Sequence, residues 1–384
     1  MQIPVSFYTI DIVEIIGLSL LLLLFVIQLY FYLVYYRKPL NEAKKTGDTT
    51  LPYNRFPKVS VVMESENEYL NLKELLPQIL EQDYPDFEVI VVNNGSTDES
   101  YELLESLKVT YPNLYHTFLP HSLDKKYGFR KMALTLGIKA AKGDVVLVTE
   151  PFCRPLSNRW IASMIEQMSD EKEIVLGHAF YAKDAPFYNR IARFDDMFFS
   201  LQYLSAAIKG KPYTGVYPNI AFARHLFFDN KGFSGHLYLE NSEDVFINTI
   251  ANASNTAVCL NTDGFMEKTL NSFAHWRKIK KSYSMAKACF KSGLVDWFSF
   301  EAFSRYLFYG LFIALGAYAS LQQDWGVLIV TGLFFLIRYI VQLVVLNKSS
   351  RYFLTGTFRL SLLILDWFQP LYTLRFRSRS RRVR

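Results

Sequence analysis

Glu150 closes the run GDVVLVTEPFCRP, Gly143 to Pro155, in which Val145–Val148 read as a short buried strand. A carboxylate at the end of such a strand is suited to hold a hard divalent cation. A cation site of that kind ordinarily has a second acid close by, and none follows Glu150 in the run as far as Pro155. Two more segments carry residues able to do chemistry. SEDVFIN, Ser242–Asn248, puts Glu243 and Asp244 into the first turn of a helix opened by Ser242. Acids there either serve a site or only complement the helix dipole. NNGSTD, Asn93–Asp98, is a glycine turn in which Asp98 either faces a ligand or caps the next helix.

The elements that must position these residues alternate in type. KVSVVM precedes the helical NLKELLPQILEQ, FEVIVV precedes SYELLESLKV, and LYHTFL precedes RKMALTLGIKAAK. DVVLVT then precedes RWIASMIEQM, with EIVLGHAF after it. Short apolar strands between amphipathic helices predict an α/β fold, a mostly parallel sheet covered on both faces. Ligands of such sheets bind beyond the C-terminal strand ends. The loops that reach that edge are Glu64–Glu68, Asn93–Asp98 and Thr149–Pro155.

Half of the 384 residues (51%) are hydrophobic and 16% are aromatic, and the apolar residues cluster. Ile15–Tyr36 contains no charge and is long enough to cross a bilayer as a helix. It lacks the basic start and small-residue cleavage site of a signal peptide. Further apolar stretches cover Tyr306–Leu321 and Val327–Leu346, while Phe353–Leu374, broken by Arg359, Asp366 and Pro370, reads as interfacial or re-entrant. Arg338 inside the third stretch reads as a snorkelling or lipid-paired arginine, with a functional charge as the alternative. Lys and Arg follow the first and third stretches, and the tail RFRSRSRRVR is basic. The central segment and the tail are therefore expected in the cytoplasm, the chain sitting integrally in the plasma (inner) membrane. The net charge of +6 reflects this pattern, and no nucleic-acid motif accompanies it. Cys153, Cys259 and Cys289 are too scattered for a disulfide framework or a zinc site.

The predicted organisation is a membrane helix over 1–37, a linker over 38–57, a ligand-binding half over 58–180 and a second half over 181–291. A C-terminal membrane region over 292–374 and a basic tail over 375–384 follow. The basic segment FAHWRKIKKSYSMAKACFK is expected to lie as a helix on the membrane surface.

From about Lys58 to Lys291 the chain resembles the membrane-bound family 2 glycosyltransferases of the GT-A fold. The matching segments are PQILEQDYPDFEVIVVNNGSTDES, ALTLGIKAAKGDVVLVT and SEDVFIN, in that order. The resemblance implies a Rossmann-like, mostly parallel sheet and a nucleotide-sugar donor bound at Glu64, Asn94, Ser96, Asp98, Arg130, Lys131 and Lys281. It implies Asp244, next to Glu243, as the catalytic base, and Glu150 as ligand of a divalent metal, Mg or Mn. Several positions depart from the family pattern. Asn94 replaces the usual Asp, Glu66 stands where a basic residue is common, and Phe152 replaces a metal-site Asp. Pro218 occupies the Arg position of G-x-G-R-N, and the Q-x-x-R-W residues are missing near Lys278–Ser282.

A diphosphate leaving group needs positive charge, and an acceptor hydroxyl needs a base. The resemblance thus implies an inverting hexosyltransferase of polysaccharide biosynthesis, acting from the cytoplasmic face on a lipid-linked or glycan acceptor. The alternative is a catalytically degenerate partner or scaffold in a polysaccharide assembly complex.

Overall fold

The computed structural model describes residues 11–46, 56–120, 129–183, 187–234, 243–270, 272–290 and 293–381. Ser242, expected to open a helix, lies outside them. Helix α1 (Ile12–Tyr30) runs through a π-helical stretch, Phe31–Tyr36, toward α2 (Lys38–Thr46). The first part of the expected linker is thus helical. Four strand–helix pairs follow: β1 (Val59–Ser65) with α3 (Tyr69–Leu80), β2 (Phe87–Asn94) with α4 (Ser100–Thr110), β3 (Leu114–Leu119) with α5 (Phe129–Ala140), and β4 (Val145–Val148), whose helix α6 (Trp160–Ile165) comes after β5 (Cys153–Pro155). Then come β6 (Ile174–Leu176), β7 (Ala179–Tyr181), α7 (Phe187–Ile208), β8 (Ile220–Ala223), α8 (Arg224–Asp229) and α9 (Glu243–Ile250). The chain continues through β9 (Thr256–Val258), β10 (Met266–Lys268), α10 (Phe273–Lys287), α11 (Leu294–Leu321), α12 (Trp325–Tyr352) and α13 (Ser361–Arg381).

The main sheet has the order β3-β2-β1-β4-β8-β6-β9. Its first four strands are parallel, β8 runs antiparallel to β4 and β6, and β9 is parallel to β6. Strand order reverses at β1 and β4, so the crevice for a ligand opens between their C-terminal ends. Every residue of β1 and β4 is buried, as expected of central strands covered by helices. In α3 the buried Leu72, Leu75, Leu76, Ile79 and Leu80 form one helical stripe. Helix α5 sits close on the sheet because Gly137 has no side chain; a Cβ there would meet Val62 Cγ1 at 2.6 Å. The segment expected as one strand, EIVLGHAF, is two. Gly177, packed tightly on Asn219, lies between them, with β6 in the main sheet and β7 in the small sheet β5-β10-β7.

Two helical runs, Ile12–Lys45 and Trp325–Tyr352, are long and apolar enough to cross a bilayer. Aliphatic side chains such as Ile15, Ile16, Leu23, Ile329 and Leu336 stand exposed along them. The expected stretch Tyr306–Leu321 belongs to the longer α11, which packs against α1 and α12.

Arg338 corrects a reading made from the sequence. It neither snorkels nor faces lipid; it is fully buried, with Nη2 3.1 Å from Asp366 Oδ2 on α13. Arg305 on α11 approaches Asp366 Oδ1 at 2.9 Å and Glu301 Oε2 at 2.6 Å. Gln28 on α1 accepts from Arg338 at 3.0 Å, and Tyr309 donates to Asp366 Oδ2 at 2.7 Å. Two arginines and two acids therefore balance, and α1, α11, α12 and α13 are tied together at one point. Asp366, which interrupts an apolar stretch in the sequence, is the centre of this knot. The basic segment forms α10, with Arg277, Lys278 and Lys281 exposed. It packs on α13, α9 and α7, with Trp276 buried against Phe273 and Tyr372.

Candidate active site

The C-terminal ends of β1, β2 and β4 bring Glu64, Asn94 and Glu150 to one edge of the sheet. Parallel pairing sets the register, with Ser65 beside Asn93 and Glu64 beside Val92. Asn94 donates from Nδ2 to Glu64 Oε1 at 2.8 Å, so the residue that replaces the family's Asp holds a neighbouring carboxylate. Asn67 adopts a positive φ of 55° and ties two of the site loops together. Its N–H donates to Ser96 Oγ at 2.9 Å, and its side-chain oxygen accepts from Thr97 N–H at 2.8 Å. Asp98 accepts from the N–H of Tyr69, where α3 begins, and of Ser100, where α4 begins. Partial burial raises the Asp98 carboxyl, but these hydrogen bonds outweigh it and hold the group below the ordinary value. Of the two readings open for Asp98, capping describes its contacts.

Arg130, near the start of α5, is the hub of the site. Its Nε is 3.0 Å from Glu243 Oε1, its Nη1 3.0 Å from Glu64 Oε2, and its Nη2 2.5 Å from Glu150 Oε1. Its guanidinium also lies 5.1 Å from the centre of the Tyr217 ring. Glu150, expected to ligate a metal, thus accepts a hydrogen bond from an arginine. Phe152 is buried edge-on to His275 at 5.3 Å, where a second acid would have stood. Among the described residues no three His, Cys, Asp or Glu side chains are grouped to hold an ion. The carboxylates that face one another at the strand ends are filled by a guanidinium, so the donor set does not fit a divalent metal.

Glu243 and Asp244 begin α9 and are both buried. Burial pushes the Glu243 carboxyl up despite Arg130 beside it, and its Oε2 has no hydrogen-bond partner among the described residues. Burial, reinforced by neighbouring Glu243, pushes Asp244 well above the ordinary carboxylate value. Lys131 is buried, which lowers its ammonium pKa, while Glu243 opposes the shift.

Beside this cluster lies a cavity of about 780 Å³, its open mouth included, into which Asp244, Glu243 and Glu150 face. Lysines inaccessible to sequence reading line it. Lys268 pairs with Asp196 at 2.7 Å, and Lys280 with Asp195 at 2.7 Å. Lys281, expected to supply this charge, is exposed to solvent. A helix turns 100° per residue, so a one-place error in register exchanges the inner face for the outer. The Asp195–Asp196 pair in α7 was visible as a doubled acid in a helical stretch, but nothing local tied it to the site. Asn219, aligned with the last residue of G-x-G-R-N, is fully buried. It accepts from Trp160 Nε1 at 3.0 Å and donates to the carbonyls of His178 and Gly264, each at 2.8 Å.

The sheet order, the strand-end acids and the acid pair at the start of α9 define a domain of the GT-A class. Residues 60–228 match the family model described as glycosyl transferase family 2, and this part of the chain is a family 2 glycosyltransferase domain. Glycosyltransferase AglE of Haloferax volcanii is 28% identical over 123 residues, 32% of this chain. The match spans 37% of that relative's length. A mannosyltransferase from Pyrobaculum calidifontis, PcManGT, solved with GDP-Man and Mn2+, superposes with a TM-score of 0.56 at 17% identity. That likeness covers 90% of this chain and 97% of that one, and it establishes the fold. S. aureus TarS 1–349 in complex with UDP-GlcNAc is a more distant likeness, with a TM-score of 0.41 at 16% identity over 83% of this chain and 89% of that one.

Proposed function

We propose that this chain transfers a hexose from a nucleoside-diphosphate sugar to an acceptor hydroxyl, with inversion at the anomeric carbon. The observation that carries the reading is Asp244, a buried carboxylate facing the cavity directly beside the strand-end cluster of Glu64, Glu150 and Arg130. In this scheme the acceptor O–H loses its proton to Asp244, and its oxygen bonds the anomeric carbon. The bond from that carbon to the diphosphate oxygen breaks, and its electron pair leaves with the nucleoside diphosphate. Lys268 and Lys280, each already paired with an acid, order the cavity wall. Tyr217, Trp276 and Tyr283 contribute aromatic carbon to the cavity wall. The two apolar helices support a membrane-bound protein and an acceptor carried on a lipid or growing glycan, with catalysis on the cytoplasmic side of the plasma membrane.

The test is transfer from radiolabelled GDP-mannose, UDP-glucose and UDP-N-acetylglucosamine by the full chain in membranes. The product's anomeric configuration should be opposite to the donor's by NMR; retention would remove direct displacement. The pH profile carries a second expectation. Because Asp244 is a carboxylate with a raised pKa, kcat/KM should fall as pH is lowered, with its ascending limb above the ordinary carboxylate range near 4. A limb at or below that range would exclude Asp244 as the base.

One observation favours a second reading, a catalytically silent partner in a polysaccharide assembly. Glu64, Glu150 and Glu243 are all engaged by Arg130. Donor binding without transfer to any acceptor is the signature of that reading.

A further inference from the structure

We infer that Arg130 is this domain's resident cation, its guanidinium doing for a donor diphosphate what a divalent metal would otherwise do. The inference rests on the nucleotide-sugar reading above and says how that site operates. Three acids from three separate elements, β1, the β4 end and α9, converge on one side chain of a fourth, α5. Each takes a different nitrogen, which fixes the plane of the guanidinium. Three of the five N–H bonds of an arginine are used in this way, and the remaining two lie one on each Nη. A planar fork of that kind matches a pair of phosphate oxygens and stays charged at any working pH.

Position separates this arrangement from a structural ion pair. The knot at Arg305 and Arg338 is sealed, with side chains 0% exposed. Arg130 keeps 23% side-chain exposure and lies at the strand ends where ligands of such sheets bind. Phe152 follows from the same arrangement. Where a guanidinium supplies the charge, a second metal-binding acid has no task, and a ring can pack there on His275. When the donor's C–O bond to diphosphate breaks, the electron pair goes to the leaving oxygen, and the Arg130 N–H groups donate to the diphosphate.

The test is calorimetric binding of GDP-mannose, UDP-glucose and UDP-N-acetylglucosamine to the full chain in detergent, with EDTA or with Mn2+. The wild type should bind one of these donors equally well, within about twofold, in either condition. Arg130→Ala should weaken that binding about 10–10²-fold in EDTA, the range for loss of a hydrogen bond between charged groups. Arg130→Lys keeps the charge without the fork and should fall between. Should Arg130→Ala fail to fold, the wild-type arms and Arg130→Lys decide. Wild-type binding that requires Mn2+, or Arg130→Ala binding donor as the wild type does, overturns the inference and leaves the transferase reading intact. Absence of any donor binding in both conditions overturns both.

Discussion

Asp244→Asn should lower transfer by about 10²–10⁴-fold, the usual contribution of a positioned general base. The amide preserves shape and burial but cannot take the acceptor's proton. Donor binding should persist, because Arg130 contacts Glu243, Glu64 and Glu150, with no bond to Asp244. The same variant should be more stable than the wild type at neutral pH. The folded chain holds the Asp244 proton more tightly than the unfolded chain does. Between the ordinary carboxylate pKa and the raised one, folding therefore takes up a proton, and wild-type stability falls as pH rises through that window. Asn has no such cost, so the two proteins should melt alike below the window and diverge above it. Radiolabelled transfer together with melting curves across pH reads both effects. Undiminished transfer by the variant would remove Asp244 from the mechanism.

The second large effect lies in the membrane-helix bundle. Asp366→Ala should destabilise the full chain in detergent by roughly 3–5 kcal/mol, the range for removing one partner of a buried ion pair. Asp366 takes Arg305 Nη1 at 2.9 Å, Arg338 Nη2 at 3.1 Å and the Tyr309 hydroxyl at 2.7 Å, in a site with no exposed surface. Alanine would leave two arginine contacts unsatisfied where water cannot reach. The double variant Arg338→Leu, Asp366→Leu should recover part of the loss, because one of the stranded charges is then gone. Arg305 would still have Glu301 at 2.6 Å. A single variant that unfolds together with the wild type would show that the knot is not what holds α13 to α11 and α12.

Arg130 links these two regions as a contrast in the same chemistry. Each is a multi-arginine or multi-acid cluster, yet one is closed and charge-balanced while the other stays open at the sheet edge. Gly137 lets α5, the helix that carries Arg130, settle against Val62 of β1.

Much of the fold was legible because its signals are local. Apolar runs of strand length alternating with helical stripes are periodic features of neighbouring residues, and they predicted β1 to β4 with their helices. The edge where a ligand binds followed from the parallel connections, and Glu64, Asn94, Glu150 and Asp244 fell there because each sits at a strand end or helix start. The long uncharged stretch near the N-terminus read as a bilayer-length helix for the same reason. What only tertiary structure decided is which groups meet. Arg130 finds Glu64 and Glu243 at separations of 66 and 113 residues, and Arg338 finds Asp366 28 residues on. Lys280 rather than Lys281 enters the cavity through the rotation of one helix about its axis. Periodicity reports which side of an element is buried, but an ion pair is set by distances between elements, and these follow from packing of the whole chain.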